Sequence, residues 1–392
     1  MSRCGRMPNR RQVIAGAGTA VLNALLPGGA HAGRATDNAL LPKLTDGRHW
    51  RIGYAETMPY GNYAGTLASI VKGLDALSWL NGAARMPYDA GQSDSEALWR
   101  WLSARDLGPR IRFVADGWYG GLDQASAEPI LPRLEGGGDI DLMIVMGTIA
   151  GRKLALDRHA VPTLVFSTTN AVAAGIVGAA EQSGRNHVWA HVDPQRYHRQ
   201  IRIFHETFSF RRLGIAYENS TAGRAIASIA DIEAMAGQLG FELVARHVQA
   251  PAGPDDQERY YADLAAAWGD LSRQVDAMYI TFGRWSLERF PPLVRIFQER
   301  GIPTFSQLGP EEVAQGALMS VARSDFDGIG QFGASVIARL ANGERLAEMR
   351  QIYFDTPTIA WNLAVANRMG YRPAMSALLA ADNIYTSLGA MP

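Results

Sequence analysis

Asp141-Leu142-Met143-Ile144-Val145-Met146-Gly147-Thr148 and Val161-Pro162-Thr163-Leu164-Val165-Phe166-Ser167 are two apolar runs joined by a helical stretch at 149–156. Each run is short and apolar on both of its faces, as a strand buried on both sides of a parallel sheet must be. The same alternation continues outward in both directions. Strand patterns lie at 51–54, 112–115, 142–146, 163–167, 212–217, 242–248, 277–281, 304–306, 318–322 and 351–354. Helical periodicity separates them at 64–80, 95–104, 149–156, 194–208, 222–239, 257–271, 287–300, 326–340 and 359–369. Such a succession predicts an α/β protein built of doubly wound parallel sheets.

At 392 residues the chain exceeds what one hydrophobic core usually organises, so two lobes are expected. The strands form two groups on either side of 170–193, where Gly175, Gly178, Gly184 and two asparagines interrupt any regular element. This region reads as the first crossing between lobes. The expected division is 33–47 as an N-terminal extension, 48–170 with 325–345 as lobe 1, and 171–324 with 346–392 as lobe 2. A chain that crosses more than once makes a hinge. The facing carboxyl ends of the two sheets then form one cleft, where ligands of open α/β sheets bind.

Composition excludes several classes. With 47% apolar and 19% charged residues the chain is globular, not disordered, collagenous or coiled coil. Its 38 basic and 38 acidic residues leave no excess of positive charge to displace counterions from phosphates, so nucleic-acid binding is not expected. Residues 1–32 read as a cleavable export signal: Arg3, Arg6, Arg10 and Arg11 precede a mildly apolar run at 13–26, then Pro27 and Ala30-His31-Ala32. Asn9-Arg10-Arg11-Gln12-Val13-Ile14 resembles the twin-arginine signature, whose machinery exports folded proteins. Cleavage would remove those four arginines and no acid, leaving 34 basic against 38 acidic residues, and would also remove Cys4, the only cysteine. The mature protein is then expected to be periplasmic, without a disulfide or a thiolate.

Several motifs together resemble one family, the substrate-binding proteins of ABC uptake systems, which includes proteins for aromatic amino acids. Val161 to Val177 looks like that family's apolar strand followed by threonine, an Asp-Pro pair and an Ala-Gly turn. Asp141 to Thr148 resembles its strand ending in threonine, and Val275-Asp276-Ala277-Met278-Tyr279-Ile280 its "V-D-A-I-Y" strand. Gly316-Ala317-Leu318, Ala341-Asn342-Gly343-Glu344 and Asn362-Leu363-Ala364 follow in the family's order. The resemblance covers about residues 48–372, judged by motif order. It implies a type I periplasmic-binding fold, two doubly wound lobes joined by a multi-crossing hinge, that captures a small molecule for an ABC permease without catalysis. Two departures stand out. Asn170-Ala171 replaces Asp-Pro, and Phe282-Gly283-Arg284-Trp285 stands where Asp-Asn is usual. Two carboxylates that could meet a ligand amine are thus absent and an arginine has appeared, which disfavours an amino-acid ligand and favours an anionic one, while the aromatic residues at strand ends suit an aromatic one.

The expected ligand contacts are Tyr60, Thr148, Thr169, Asn170, Ser220 and Arg284. Thr148 and Thr169-Asn170 follow strands, and Ser220 opens a helix, where hydroxyls and free N–H groups bind carboxylates. Tyr60 belongs to a set of aromatics at strand ends, with Tyr54, Tyr63, Trp118, Tyr119, Phe282 and Trp285. Arg284 follows the strand at 277–281, and its planar guanidinium suits a ligand carboxylate.

Other motifs have plainer readings. Gly328-Ile329-Gly330-Gln331-Phe332-Gly333 spells a dinucleotide fingerprint, but Ile329, Phe332, Val336 and Leu340 run an apolar helical face through it. Asp325 then reads as the cap of an ordinary helix. His187, His191, His198 and His205 are clustered, yet His198 and His205 stand seven apart, and ligands on one helix usually sit three or four apart. No cofactor, metal or catalytic residue is expected, and the protein should be a monomer. A periplasmic sensory module on the same fold is the alternative function; a hydrolase or dehydrogenase is a remote one.

Overall fold

The computed structural model describes residues 39–43, 49–88, 94–323 and 326–388. The export signal and the Asp325 cap lie outside the described residues. Two sheets organise the rest. The first holds β1 (Trp50–Glu56), β2 (Ile111–Tyr119), β3 (Leu142–Met146), β4 (Thr163–Phe166) and β5 (Val188–Ala190), all parallel, in the order β2-β1-β3-β4-β5. Between them run α1 (Gly61–Ala76), α2 (Ser95–Ser103), α3 (Leu131–Glu135) and α4 (Thr148–Leu154). Alternation splits this core cleanly: Leu142, Ile144 and Met146 pack toward α1 and α2, while Met143 and Val145 pack toward α3 and α4.

The second sheet is reached through α5 (Arg196–Phe208). Its strands are β6 (Arg212–Glu218), β7 (Glu242–Val248), β8 (Ala277–Ile280), β9 (Thr304–Ser306), β10 (Met319–Arg323), β11 (Pro357–Asn362) and β12 (Asn383–Tyr385). The order is β12-β11-β10-β9-β8-β6-β7, parallel except where β11 runs against β10. Its helices are α6 (Thr221–Ile226), α7 (Ile229–Leu239), α8 (Gln257–Leu271), α9 (Phe290–Glu299), α10 (Pro310–Ala314), α11 (Phe326–Ala341), α12 (Leu363–Arg368) and α13 (Met375–Leu379). Of these, α11 returns to the first lobe and packs along α1.

The architecture is the expected one, two doubly wound lobes, but four boundaries move. Residues 171–192 stay with the first sheet: β5 pairs with β4, and Ala171, Ala174, Ile176 and Val177 are buried in its core. The glycines there make turns inside a lobe, not a linker. The stretch at 351–354 is no strand, only a bridge from Ile352 to Val192, and it too lies on the first lobe, where Gln351 Oε1 accepts from Ala190 N–H. The helix expected at 359–369 is β11 followed by α12. Asn362 ends the strand and caps the helix, accepting Val365 N–H at 3.0 Å. The helix expected at 222–239 breaks at Ser228, whose φ of 53° ends α6 before α7 begins. The chain thus crosses between lobes near 191–196 and 353–357, and again between the end of β10 at Arg323 and the start of α11 at Phe326.

Candidate functional site

Both sheets carry the order in which two adjacent strands leave in opposite senses, β1 beside β3 in one and β6 beside β8 in the other, and ligands bind at the carboxyl ends of such a pair. The two switch points face each other across a narrow cleft of about 70 Å³, open to solvent at one side. Thr57, Tyr60 and Tyr63 line it after β1, Thr148 after β3, and Ser167 and Thr169 after β4. The opposite wall holds Arg196 and Tyr197 from α5, Ile226 from α6, Phe282 after β8, and Gln307 and Leu308 after β9.

Gly147 makes the first wall possible. Its φ is 91°, and a Cβ there would lie 2.2 Å from Tyr63 Oη and 2.6 Å from Thr57 Oγ1, so only glycine lets the β3 turn meet these two side chains. Thr148 Oγ1 then accepts Thr169 N–H at 3.3 Å, tying the ends of β3 and β4 together. Ser167 between them takes a left-handed φ of 53°. Tyr60 meets Tyr63 edge-on at 5.2 Å and Phe282 of the other lobe at 6.4 Å. Burial, then the negative field of Glu312, pushes the Tyr60 hydroxyl far above its ordinary pKa, so it stays a neutral donor.

Arg196 is the charged group of the cleft. It stands at the first turn of α5, and its Nε is buried with no hydrogen-bond partner. The guanidinium lies 5.1 Å from the Tyr197 ring. Burial alone would lower its pKa, but the field of Tyr197 and Asp355 among others outweighs burial and holds it raised. A buried cation with an open donor is the arrangement an anion completes.

Of the six residues expected from sequence, Tyr60, Thr148 and Thr169 meet in this cleft. Asn170 lies beside it, in an adjoining cavity of about 230 Å³ on the hinge side with His191, Asp231 and Asp355. Its Nδ2 donates to Asp231 Oδ2 across the lobes at 3.1 Å. Ser220 is exposed and caps α6, accepting Gly223 N–H at 2.9 Å. Arg284 does not line the cleft: Asp123 at 2.8 Å and Glu218 at 3.3 Å occupy its guanidinium. The arginine that lines the cleft is Arg196, not Arg284. Its helix also carries Arg199 and Arg202, and it reads as a solvated face; the signal that separates Arg196 from them is its position right after the hinge.

The remaining motifs resolve locally. Tyr54 is core, Trp118 donates to Ser95 Oγ at 3.1 Å, and Trp285 stacks on Phe290. The four histidines go to different places: His187 on Leu156 O, His191 in the hinge 3.6 Å from Asp355, His198 3.3 Å from Asp231, and His205 against Phe210 and Phe241. Among the described residues no helix is long and apolar enough to cross a membrane.

No curated protein matches the chain in sequence. Solved structures do match in fold. An ABC domain from Streptococcus pneumonia in complex with L-Trp shares 18% identity at a TM-score of 0.59, covering 85% of this chain and 99% of that one. A conserved domain protein from Vibrio cholerae shares 15% at 0.61, covering 86% and 100%. A ligand-free, open substrate-binding protein with adhesive properties from Clostridium difficile shares 15% at 0.60, covering 86% and 100%. At these identities the likeness is one of fold, the type I periplasmic-binding fold. Sequence carries the family: residues 123–383, well over half of the chain, match the ABC transporter substrate binding protein family, and the chain belongs to it.

Proposed function

We propose that the protein captures a small anionic molecule with a flat apolar body between its lobes and delivers it to the permease of an ABC importer. The observation that carries this reading is Arg196, with a buried and open Nε at the edge of a cleft walled by Tyr60, Tyr63, Tyr197 and Phe282. The aromatic walls match a planar ligand body, the arginine a carboxylate, and Thr148 and Thr169 its remaining oxygens. The similar fold that holds L-Trp supports an aromatic ligand here. Residues 1–32 direct the protein to the periplasm.

The test is a thermal-shift screen of aromatic carboxylates, each paired with its amide. Carboxylates should raise the melting temperature and amides should not. One charge-assisted hydrogen bond is worth about 1.5–3 kcal/mol, so Arg196→Met should weaken binding by about 10- to 100-fold. The empty variant should melt close to the parent, since Arg196 Nε holds no hydrogen bond to lose. Equal binding of acid and amide would overturn the reading.

A further inference from the structure

Arg284 is anchored on its own lobe and reaches out of it. Its backbone N–H donates to Tyr260 Oη at 2.9 Å, and Tyr260 is 1% exposed. Gln257 Nε2 donates to its carbonyl, and its own Nε donates to Glu218 Oε1. With the backbone and one edge of the guanidinium fixed, Nη1 crosses to the first lobe and donates to Asp123 Oδ2 at 2.8 Å. Asp123 is fixed in turn, its N–H donating to Thr57 O at 2.9 Å. Both side chains of the pair are only 11% exposed. Their attraction is therefore screened less than that of a surface pair, and it exists only while the lobes are together.

The pair also connects to the cleft without lining it. Thr57, which holds Asp123, is in one wall; Phe282, two residues before Arg284, is in the other. On the far side of β3 the Asn170 to Asp231 bond spans the lobes again, so polar bridges stand on both flanks of the cleft. Ala225 of α6 adds an apolar contact, buried among first-lobe residues.

We propose that Asp123 and Arg284 form a closure clasp, a positioning pair that never touches the ligand but favours the closed arrangement before ligand arrives. Ligand affinity then scales with the closed fraction, because the apparent Kd is the intrinsic Kd divided by the population competent to hold the ligand. Losing the clasp weakens every ligand by one common factor, whereas losing Arg196 weakens anions alone.

The experiment reads the empty protein, so its outcome is independent of whether Arg196 anchors an anion. Cys4→Ser removes the only cysteine, and Lys72→Cys on α1 with Glu299→Cys at the end of α9 place one exposed spin label on each lobe. Distance distributions across the cleft are then compared. Asp123→Asn should move weight from the short to the long distance, lowering the closed-to-open ratio about five- to tenfold. Arg284→Gln should do the same, and the double variant should go no further than either single one. Asp123→Glu, which keeps the charge, should stay closed, which separates the clasp from a general fault of folding. Identical distributions in the parent and Asp123→Asn, or additive shifts in the double variant, would overturn the proposal.

Discussion

Glu312 lies beneath the loop Gln307-Leu308-Gly309 that walls the cleft, 7% exposed, its Oε2 accepting the Ser306 hydroxyl at 3.2 Å. Burial first, then the neighbouring charge of Glu311, pushes its carboxyl up to about 8. The unfolded carboxyl releases its proton near 4.5. Between those values the folded protein holds more protons than the unfolded chain, so stability falls as pH rises, by at most about 1.4 kcal/mol per pH unit, and levels off above the folded value. Glu312→Gln keeps an acceptor for Ser306 and removes the titration. The variant should therefore melt above the parent at pH 8 and beyond, and the two curves should converge near pH 4.5. Parallel curves across this range would show that Glu312 ionises freely. Nothing in the residues around Glu312 announces its burial, and the same holds for the two arginines. Arg284 follows a strand and reads as a ligand anchor, yet Asp123, far off in sequence, claims it. Arg196 sits in an arginine-rich helix, and only the hinge before it turns it inward. Tyr60, Thr148 and Thr169 were legible because a strand's carboxyl end is a local property.

At the scale of elements, the glycine fingerprint at 328–333 acquires a structural reason. A Cβ on Gly330 would lie 2.3 Å from the Ser69 backbone, one on Gly333 2.9 Å from the Phe166 ring, and one on Gly73 2.7 Å from Ala334. These glycines let α11 cross α1 at close range. Gly330→Ala gains about 1 kcal/mol of helix propensity but must push the two helices apart, which costs about 1–3 kcal/mol, so a net loss of stability is expected in denaturant unfolding. Gly237 in α7 is exposed with nothing within 4 Å of its Cβ position, and Gly237→Ala should gain about 0.5–1 kcal/mol. Stabilisation by both substitutions would show that the α1–α11 crossing has slack. Elements with long, regular periods, such as α5, α8 and β7, were legible in the sequence. β5 and β12 were not, since three residues carry no period. The helical spacing of Ile359, Leu363 and Ala366 predicts a helix over 359–369, but β10 pulls 357–362 into the sheet.

For the whole molecule, the first lobe is complete only when the chain returns to it. The α1 face bearing Leu67, Ile70, Val71 and Leu74 is covered by Ile329, Ala334, Val336 and Ile337 of α11, and Trp189 donates to Arg350 O at 3.0 Å. Residues about 260 positions apart must therefore meet before the first lobe is complete. Such a chain exposes an unfinished core through most of its synthesis. Export after folding would suit this topology better than threading of an unfolded chain, and that is the route proposed here from the resemblance of Arg10-Arg11 to a twin-arginine signal. Machinery that reads a twin-arginine signal distinguishes guanidinium from ammonium, since a planar fork and a point charge make different hydrogen bonds. Replacing both arginines by lysine keeps the charge and should leave the precursor in the cytoplasm. That precursor should be folded, resisting protease down to a core of mature size and showing the same melting temperature as the exported protein. An undiminished periplasmic yield would place the signal in the ordinary secretory class, and a protease-sensitive precursor would show that the two lobes do not close around α11 before export.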